Sequence, residues 1–300
     1  DAGAAGAWYA SGDVTTGNVA SAEIYGRGTI TNTLKGQIQV TGTKIWKDEN
    51  RTSRPSDITL TLYRWSDRSS EVNREKVTTA NVPAMTLTWD KTNTNEWKYT
   101  YSNLPQFDSY GALYHYKVEE TTPAHYRTEY KDALGREIHN LGLVTVHVEK
   151  KWEAENSAQK EITVGIYRTT ELTIPADSSE DGTGSSVLIG WITLNSGNDW
   201  KWSGGSLNGT SFDQRTYGEA EEKPYLYYAR ELQIGSTGVP AGKAGRLVEA
   251  DGYRYAVKEE MTPSALTAGQ AVPDSMTTVI TNTQLTDLTV VKNWMDNKKQ

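Results

Sequence analysis

A lysine falls in the apolar register of an alternating strand pattern three times along this chain, and few features restrict a fold so tightly. The segments are VTGTKIWKDEN ending at Asn50, VTVHVEKKWEAEN ending at Asn156 and LTVVKNWMDNK ending at Lys298. Side chains of a strand alternate between its two faces. In the second copy Val144, Val146, Val148, Lys150 and Trp152 therefore share one face, opposite Thr145, His147, Glu149 and Lys151. The first copy sets Ile38, Val40, Lys44 and Trp46 in phase, and the third sets Leu288, Val290, Lys292 and Trp294 in phase. Only Ile45 and Val291 fall on the polar side. Burying an unpaired ammonium is costly, so each of these lysines demands a partner.

Two further segments recur. TITNT (29–33), REIHN (136–140) and VITNT (279–283) each precede a lysine segment and carry Asn32, Asn140 and Asn282. LYHYKVEETTP (113–123) and YRYAVKEEMTP (253–263) each end in paired glutamates and a turn. Parity puts Asn140 with Ile138, Asn282 with Ile280, Glu120 with Tyr116 and Val118, and Glu259 with Tyr253, Tyr255 and Val257. Counting back from the following proline would instead equate Glu119 with Glu259 and Glu120 with Glu260. Parity selects Glu120 and Glu259, because a reversed face would take the carboxyl group out of the core.

These landmarks divide the chain. Residues 1–33 read as the end of an upstream unit, 37–141 and 143–284 as complete units, and 286–300 as the first strand of a downstream unit. From each Asn to the next Lys is 12, 10 and 10 residues, which predicts stiff units set end to end. Asn140 follows Lys44 by 96 residues but Asn282 follows Lys150 by 132, and the surplus falls near 176–186 and 209–250. The strand spacing, with 10 Trp, 17 Tyr and 26 Gly, predicts an all-β chain of tandem Ig-like β-sandwiches.

Several function classes are set aside on composition. The net charge of −7 with interspersed signs lacks the basic footprint of a nucleic-acid binder. No apolar run approaches the length of a membrane span, and cysteine is absent, which excludes disulfides and thiol chemistry. No nucleophile elbow or phosphate loop occurs, and the four histidines are scattered. The acidic run of Asp177, Glu180 and Asp181 misses the EF-hand spacing and reads as a solvated loop. Neither metal nor cofactor is expected.

Each complete unit thus points one Lys, one Asn and one Glu inward. The plain reading is a buried salt bridge with a hydrogen-bonded Asn. The chemical reading starts from desolvation, which lowers a lysine's pKa and raises a glutamate's, so the pair can exist as neutral amine and neutral acid. A neutral amine can attack the Asn carbonyl while the acid stabilises the oxyanion and relays protons to departing ammonia. Folding supplies the proximity.

TKIWKDENRTSRPSDITLTLYR, WKYTYSNLP, YHYKVEE and the closing Asn of ITNT-like strands resemble the collagen-adhesin B-type (Cna-B-like) repeats of Gram-positive surface adhesins and pilins. The resemblance covers most of 37–141 and mainly the two ends of the second unit. It implies isopeptide bonds from Lys44 to Asn140 with Glu120 as catalyst, and from Lys150 to Asn282 with Glu259 as catalyst. Asn32 and Lys292 would belong to bonds completed outside this chain. The first unit closes with IHN where the family pattern has ITN. The implied role is a structural stalk, extracellular and anchored to the cell wall by a segment outside this chain, with no turnover and with neighbouring repeats as its partners. The alternative is an adhesin module that contacts a host matrix protein or glycan through the second unit's insertion. Trp191, Trp200, Trp202, Tyr217, Tyr225, Tyr227 and Tyr228 lie in or near that insertion.

Overall fold

A computed structural model describes residues 36–49, 51–175, 186–240, 246–286 and 291. Asn32, Lys292 and most of the polar run at 176–186 lie outside the described residues. The architecture is all-β. The strands up to residue 142 are β1 (Gln37–Lys47), β2 (Leu60–Ser66), β3 (Glu75–Lys76), β4 (Thr86–Asp90), β5 (Glu96–Pro105), β6 (Tyr114–Glu120), β7 (Tyr126–Tyr130) and β8 (Glu137–Gly142). They form a five-stranded sheet, β4-β5-β1-β8-β7, facing a three-stranded sheet, β3-β2-β6. Val40, Leu62, Tyr99, Tyr101, Leu104, Tyr116, Val118 and Ile138 meet between the two sheets in one buried cluster. Beside it Trp46 sits edge-on to Trp97 and to Tyr126, each at 5.1 Å between ring centroids.

The remaining strands are β9 (Thr145–Glu153), β10 (Ile162–Thr169), β11 (Ser186–Leu194), β12 (Lys201–Gly204), β13 (Ser206–Leu207), β14 (Thr210–Ser211), β15 (Leu226–Ile234), β16 (Thr237–Gly238), β17 (Arg246–Ala250), β18 (Tyr253–Thr262) and β19 (Ser275–Leu285). A five-stranded sheet, β12-β9-β19-β18-β17, faces a four-stranded sheet, β11-β10-β15-β16, and β13 pairs with β14. The core between them, which includes Val146, Val148, Val164, Ile166, Tyr227, Tyr255, Val257 and Ile280, shares no described residue with that of the first unit.

One topological feature recurs. The first strand of each unit runs parallel to its last, β1 beside β8 and β9 beside β19. Lys44 pairs with Ile138 and Trp46 with Asn140; Lys150 pairs with Ile280 and Trp152 with Asn282. In a ladder with period two, this register places the Lys and the Asn on the same face two residues apart in both units.

The aromatic insertion of the second unit does not form an open patch. Tyr227 and Tyr228 are buried, and Trp200, Trp202 and Tyr225 pack against the core. The Tyr217 hydroxyl oxygen lies 2.8 and 2.9 Å from the carbonyl oxygens of Lys47 and Gly142. Trp191, 64 % exposed, is the one of the seven left largely in solvent. The stretch around 212–217 lies across the junction of the two units. The N–H of Val144 donates to Phe212 O at 2.7 Å and that of Gln214 to Gly142 O at 2.9 Å. Arg127 grips both Asp213 oxygens at 2.8 Å, in the paired geometry that favours guanidinium–carboxylate contacts. Arg51 donates to His125 O and Leu143 O at 2.9 and 2.6 Å and pairs with Asp274.

β6 is held in place by the turn before β8. The Val118 N–H donates to Leu134 O at 2.9 Å, and Gly135, at φ +71°, approaches so closely that an added Cβ would stand 2.0 Å from Val118 O. Gly135→Ala should therefore displace β6 and destabilise the first unit by about 2–4 kcal/mol, read as a lower urea midpoint for that unit's transition.

Candidate functional site

In the first unit, Lys44 and Asn140 are fully buried, and the Glu120 side chain is fully covered as well. Glu120 closes β6 and reaches across from the facing sheet. Its Oε2 lies 3.1 Å from Lys44 Nζ, and its Oε1 accepts a 3.0 Å hydrogen bond from Asn140 Nδ2. One carboxyl group thus bridges the two nitrogens. The Thr128 hydroxyl, on β7, stands 3.0 Å from Asn140 Oδ1 and 3.2 Å from Glu120 Oε2. Trp46 closes the cluster, with Lys44 Nζ 5.0 Å from its ring centroid.

Burial pulls the Lys44 ammonium down to about 8, against the opposing pull of Glu120 and then Asp48. Burial likewise raises the Glu120 carboxyl, opposed mainly by Lys44. Both shifts favour the neutral amine and the neutral acid, and the amine is the nucleophilic form.

The second unit builds the same cluster around a different glutamate. Lys150 Nζ lies 3.1 Å from Glu231 Oε1, and Asn282 Nδ2 donates to that same oxygen at 3.1 Å. Glu231 and Asn282 are fully buried, and Lys150 is 4 % exposed. Lys150 Nζ lies 4.3 Å from the Trp152 ring centroid. Burial lowers Lys150 to about 8, opposed by Glu231 and then Glu259, and burial raises the Glu231 carboxyl. Glu231 Oε2 and Asn282 Oδ1 are buried and have no hydrogen-bond partner among the described residues.

Glu259, selected from the sequence, does not stand between Lys150 and Asn282. Its Oε2 accepts from Arg230 Nη1 at 2.7 Å, and its Oε1 pairs with Arg246 and accepts the Glu231 N–H at 2.8 Å. The reason is topological. β6 pairs with β2 and β15 pairs with β10, so β15 is the counterpart of β6. β18 pairs instead with the last strand, as β7 does in the first unit. The usable sequence signal was Tyr227-x-Ala229-x-Glu231, which repeats the phase of Tyr116-x-Val118-x-Glu120. Of the other two glutamates, Glu119 pairs with Arg74 at 2.7 Å and Glu260 with Lys258 at 2.7 Å, and neither enters a cluster. Thr128 carried no repeat signal, because it becomes visible only through its pairing with Asn140 in the β7–β8 ladder.

Comparison with known proteins places this geometry in context. Residues 40–141 match the family model of the Cna protein B-type domain. A collagen adhesin of Staphylococcus aureus is 26 % identical over 181 residues, covering 58 % of this chain and 13 % of that protein. The chain thus spans about an eighth of the length of the curated relative it matches. Among solved structures, two B repeat units of the S. aureus collagen-binding protein Cna are 21 % identical with a TM-score of 0.24, covering 82 % of this chain and 49 % of that one. The major pilin T-13 of Streptococcus pyogenes is 12 % identical with a TM-score of 0.25, covering 83 % of this chain and 98 % of that one. The similarity to the Cna protein B-type domain thus spans residues 40–141.

Proposed function

We propose that this chain is a stalk region of a cell-surface adhesin or pilin in which each unit closes a covalent Lys–Asn isopeptide bond. The observation that carries this reading is the buried meeting of Lys, Glu and Asn in both units, on parallel first and last strands. In the reaction, Lys Nζ bonds to Asn Cγ while the Cγ–Nδ2 bond breaks. One proton passes from Nζ through the glutamate carboxyl to Nδ2, and ammonia leaves. The glutamate ends the step in the protonation state in which it began, and the product is a secondary amide. The residues are Lys44, Glu120 and Asn140 in the first unit and Lys150, Glu231 and Asn282 in the second.

Such a bond suits a stalk. Tension arriving on β1 passes directly to β8 through the cross-link and bypasses the strands between. By analogy with disulfide loop closure, a cross-link around a loop of this size adds roughly 5 kcal/mol through the unfolded state. It also stands in for the disulfides that a cysteine-free chain cannot form. The stalk reading places the protein outside the cell and attached to its wall.

A second reading, a module that grips host matrix protein, rests on the similarity to a collagen adhesin and on exposed Trp191. Retention on collagen that is lost in Trp191→Ala would favour it.

The intact mass should fall short of the sequence mass by two ammonias, and a full sequence mass would overturn the cross-link. Glu120→Ala and Glu231→Ala should each restore one ammonia, whereas Glu259→Ala should restore none. The unit that loses its bond should unfold at lower temperature and be cut first by trypsin, which gel analysis of timed digests would show.

A further inference from the structure

One difference between the two clusters falls on the oxygen that must carry negative charge. When Nζ adds to the Asn side chain, charge develops on Oδ1, and a donor held there lowers the barrier. In the first unit the glutamate is occupied by the two nitrogens. Oδ1 of Asn140 faces the Thr128 hydroxyl at 3.0 Å. That hydroxyl has one hydrogen and two acceptor sites. Its other neighbours are Glu120 Oε2 at 3.2 Å and the Thr122 hydroxyl at 2.8 Å. With Thr122 donating inward and Thr128 accepting from it, the Thr128 hydrogen is free to point at Asn140 Oδ1. Chained hydroxyls of this kind polarise one another and strengthen the terminal donor.

In the second unit the corresponding position is apolar. Thr128 is the register partner of Asn140, and the register partner of Asn282 is Val257. Val257 is 1 % exposed and belongs to the core. Asn282 Oδ1, the counterpart of the amide oxygen that Thr128 faces in the first unit, is buried without a hydrogen-bond partner among the described residues.

Resting on the isopeptide reading above, we propose that Thr128 is the oxyanion donor for the Lys44–Asn140 bond, and that Val257 deprives the Lys150–Asn282 bond of that donor, so that the first unit locks before the second. The bonds made and broken are those already given. Thr128 keeps its proton throughout, donating a hydrogen bond that shortens as the Cγ–Oδ1 bond becomes single and relaxes when ammonia departs.

The test is a pulse of cell-free synthesis of the full chain, quenched in acid at intervals, with each cross-linked peptide quantified by mass spectrometry. Wild type should complete the Lys44–Asn140 bond first. Thr128→Val, nearly isosteric, should slow that bond by about a hundredfold, the size of losing one oxyanion donor. It should leave the Lys150–Asn282 bond unchanged as an internal control for folding. Thr128→Ser should recover most of the rate, which a purely structural role for the side chain would not give. Val257→Thr should accelerate the second bond. Equal rates in wild type and Thr128→Val, or no gain from Val257→Thr, would overturn the donor assignment while leaving the cross-links standing. Absence of both bonds from the wild-type chain would instead overturn the isopeptide reading itself.

Discussion

The parallel pairing of each unit's first strand with its last is the constraint on which the rest of the structure depends. It brings together two segments separated by about a whole domain of sequence, in a register that sets Lys44 beside Ile138 and leaves Asn140 two residues further along the same face. The facing sheet then supplies a carboxyl group at its rim, and aromatic rings close the cluster from water. In the proposed cross-linking, desolvation does the chemical work, because it penalises the ammonium and the carboxylate together and makes neutral amine beside neutral acid accessible. The same burial would be a liability if one of the three groups were missing, since an unpaired buried charge is among the costlier defects a core can carry.

The two units reach this arrangement by different routes. In the first, a compact three-stranded sheet brings Glu120 to the site and Thr128 completes the hydrogen bonding of the amide. In the second, the extra strands β16 and β17 enlarge the unit, Glu231 takes the bridging position, and a valine lies where the hydroxyl would be. Glu259 becomes part of the scaffold: it ties Arg230 and Arg246 across from β18 and receives the Glu231 backbone N–H. An acidic residue beside the bridging glutamate also opposes ionisation of Glu231.

The insertion contributes to the junction between the units. Asp213, Gln214 and Tyr217 bond to Arg127 and to the backbone of Lys47 and Gly142. In the proposed stalk such contacts resist bending, because a bend at the junction must break several directional bonds at once. The short spacing between one unit's Asn and the next unit's Lys already predicted stiffness, but the contacts across the junction come from a stretch whose aromatic content suggested a ligand.

The sequence by itself determined the all-β class and the inward-facing Lys44, Asn140, Lys150 and Asn282. Period-two alternation fixes the face of a residue within its own strand, whatever that strand packs against. Glu120 was legible for the same reason. Tertiary structure alone decided which glutamate serves the second unit. Tyr-x-Val-x-Glu at 255–259 and Tyr-x-Ala-x-Glu at 227–231 have the same parity, and only the choice of sheet separates them. Thr128 and Val257 were hidden likewise, since their meaning lies in a register with the last strand. Parity is a local property of the chain, whereas the assembly of a three-residue site depends on which strands become neighbours, and long-range pairing sets that.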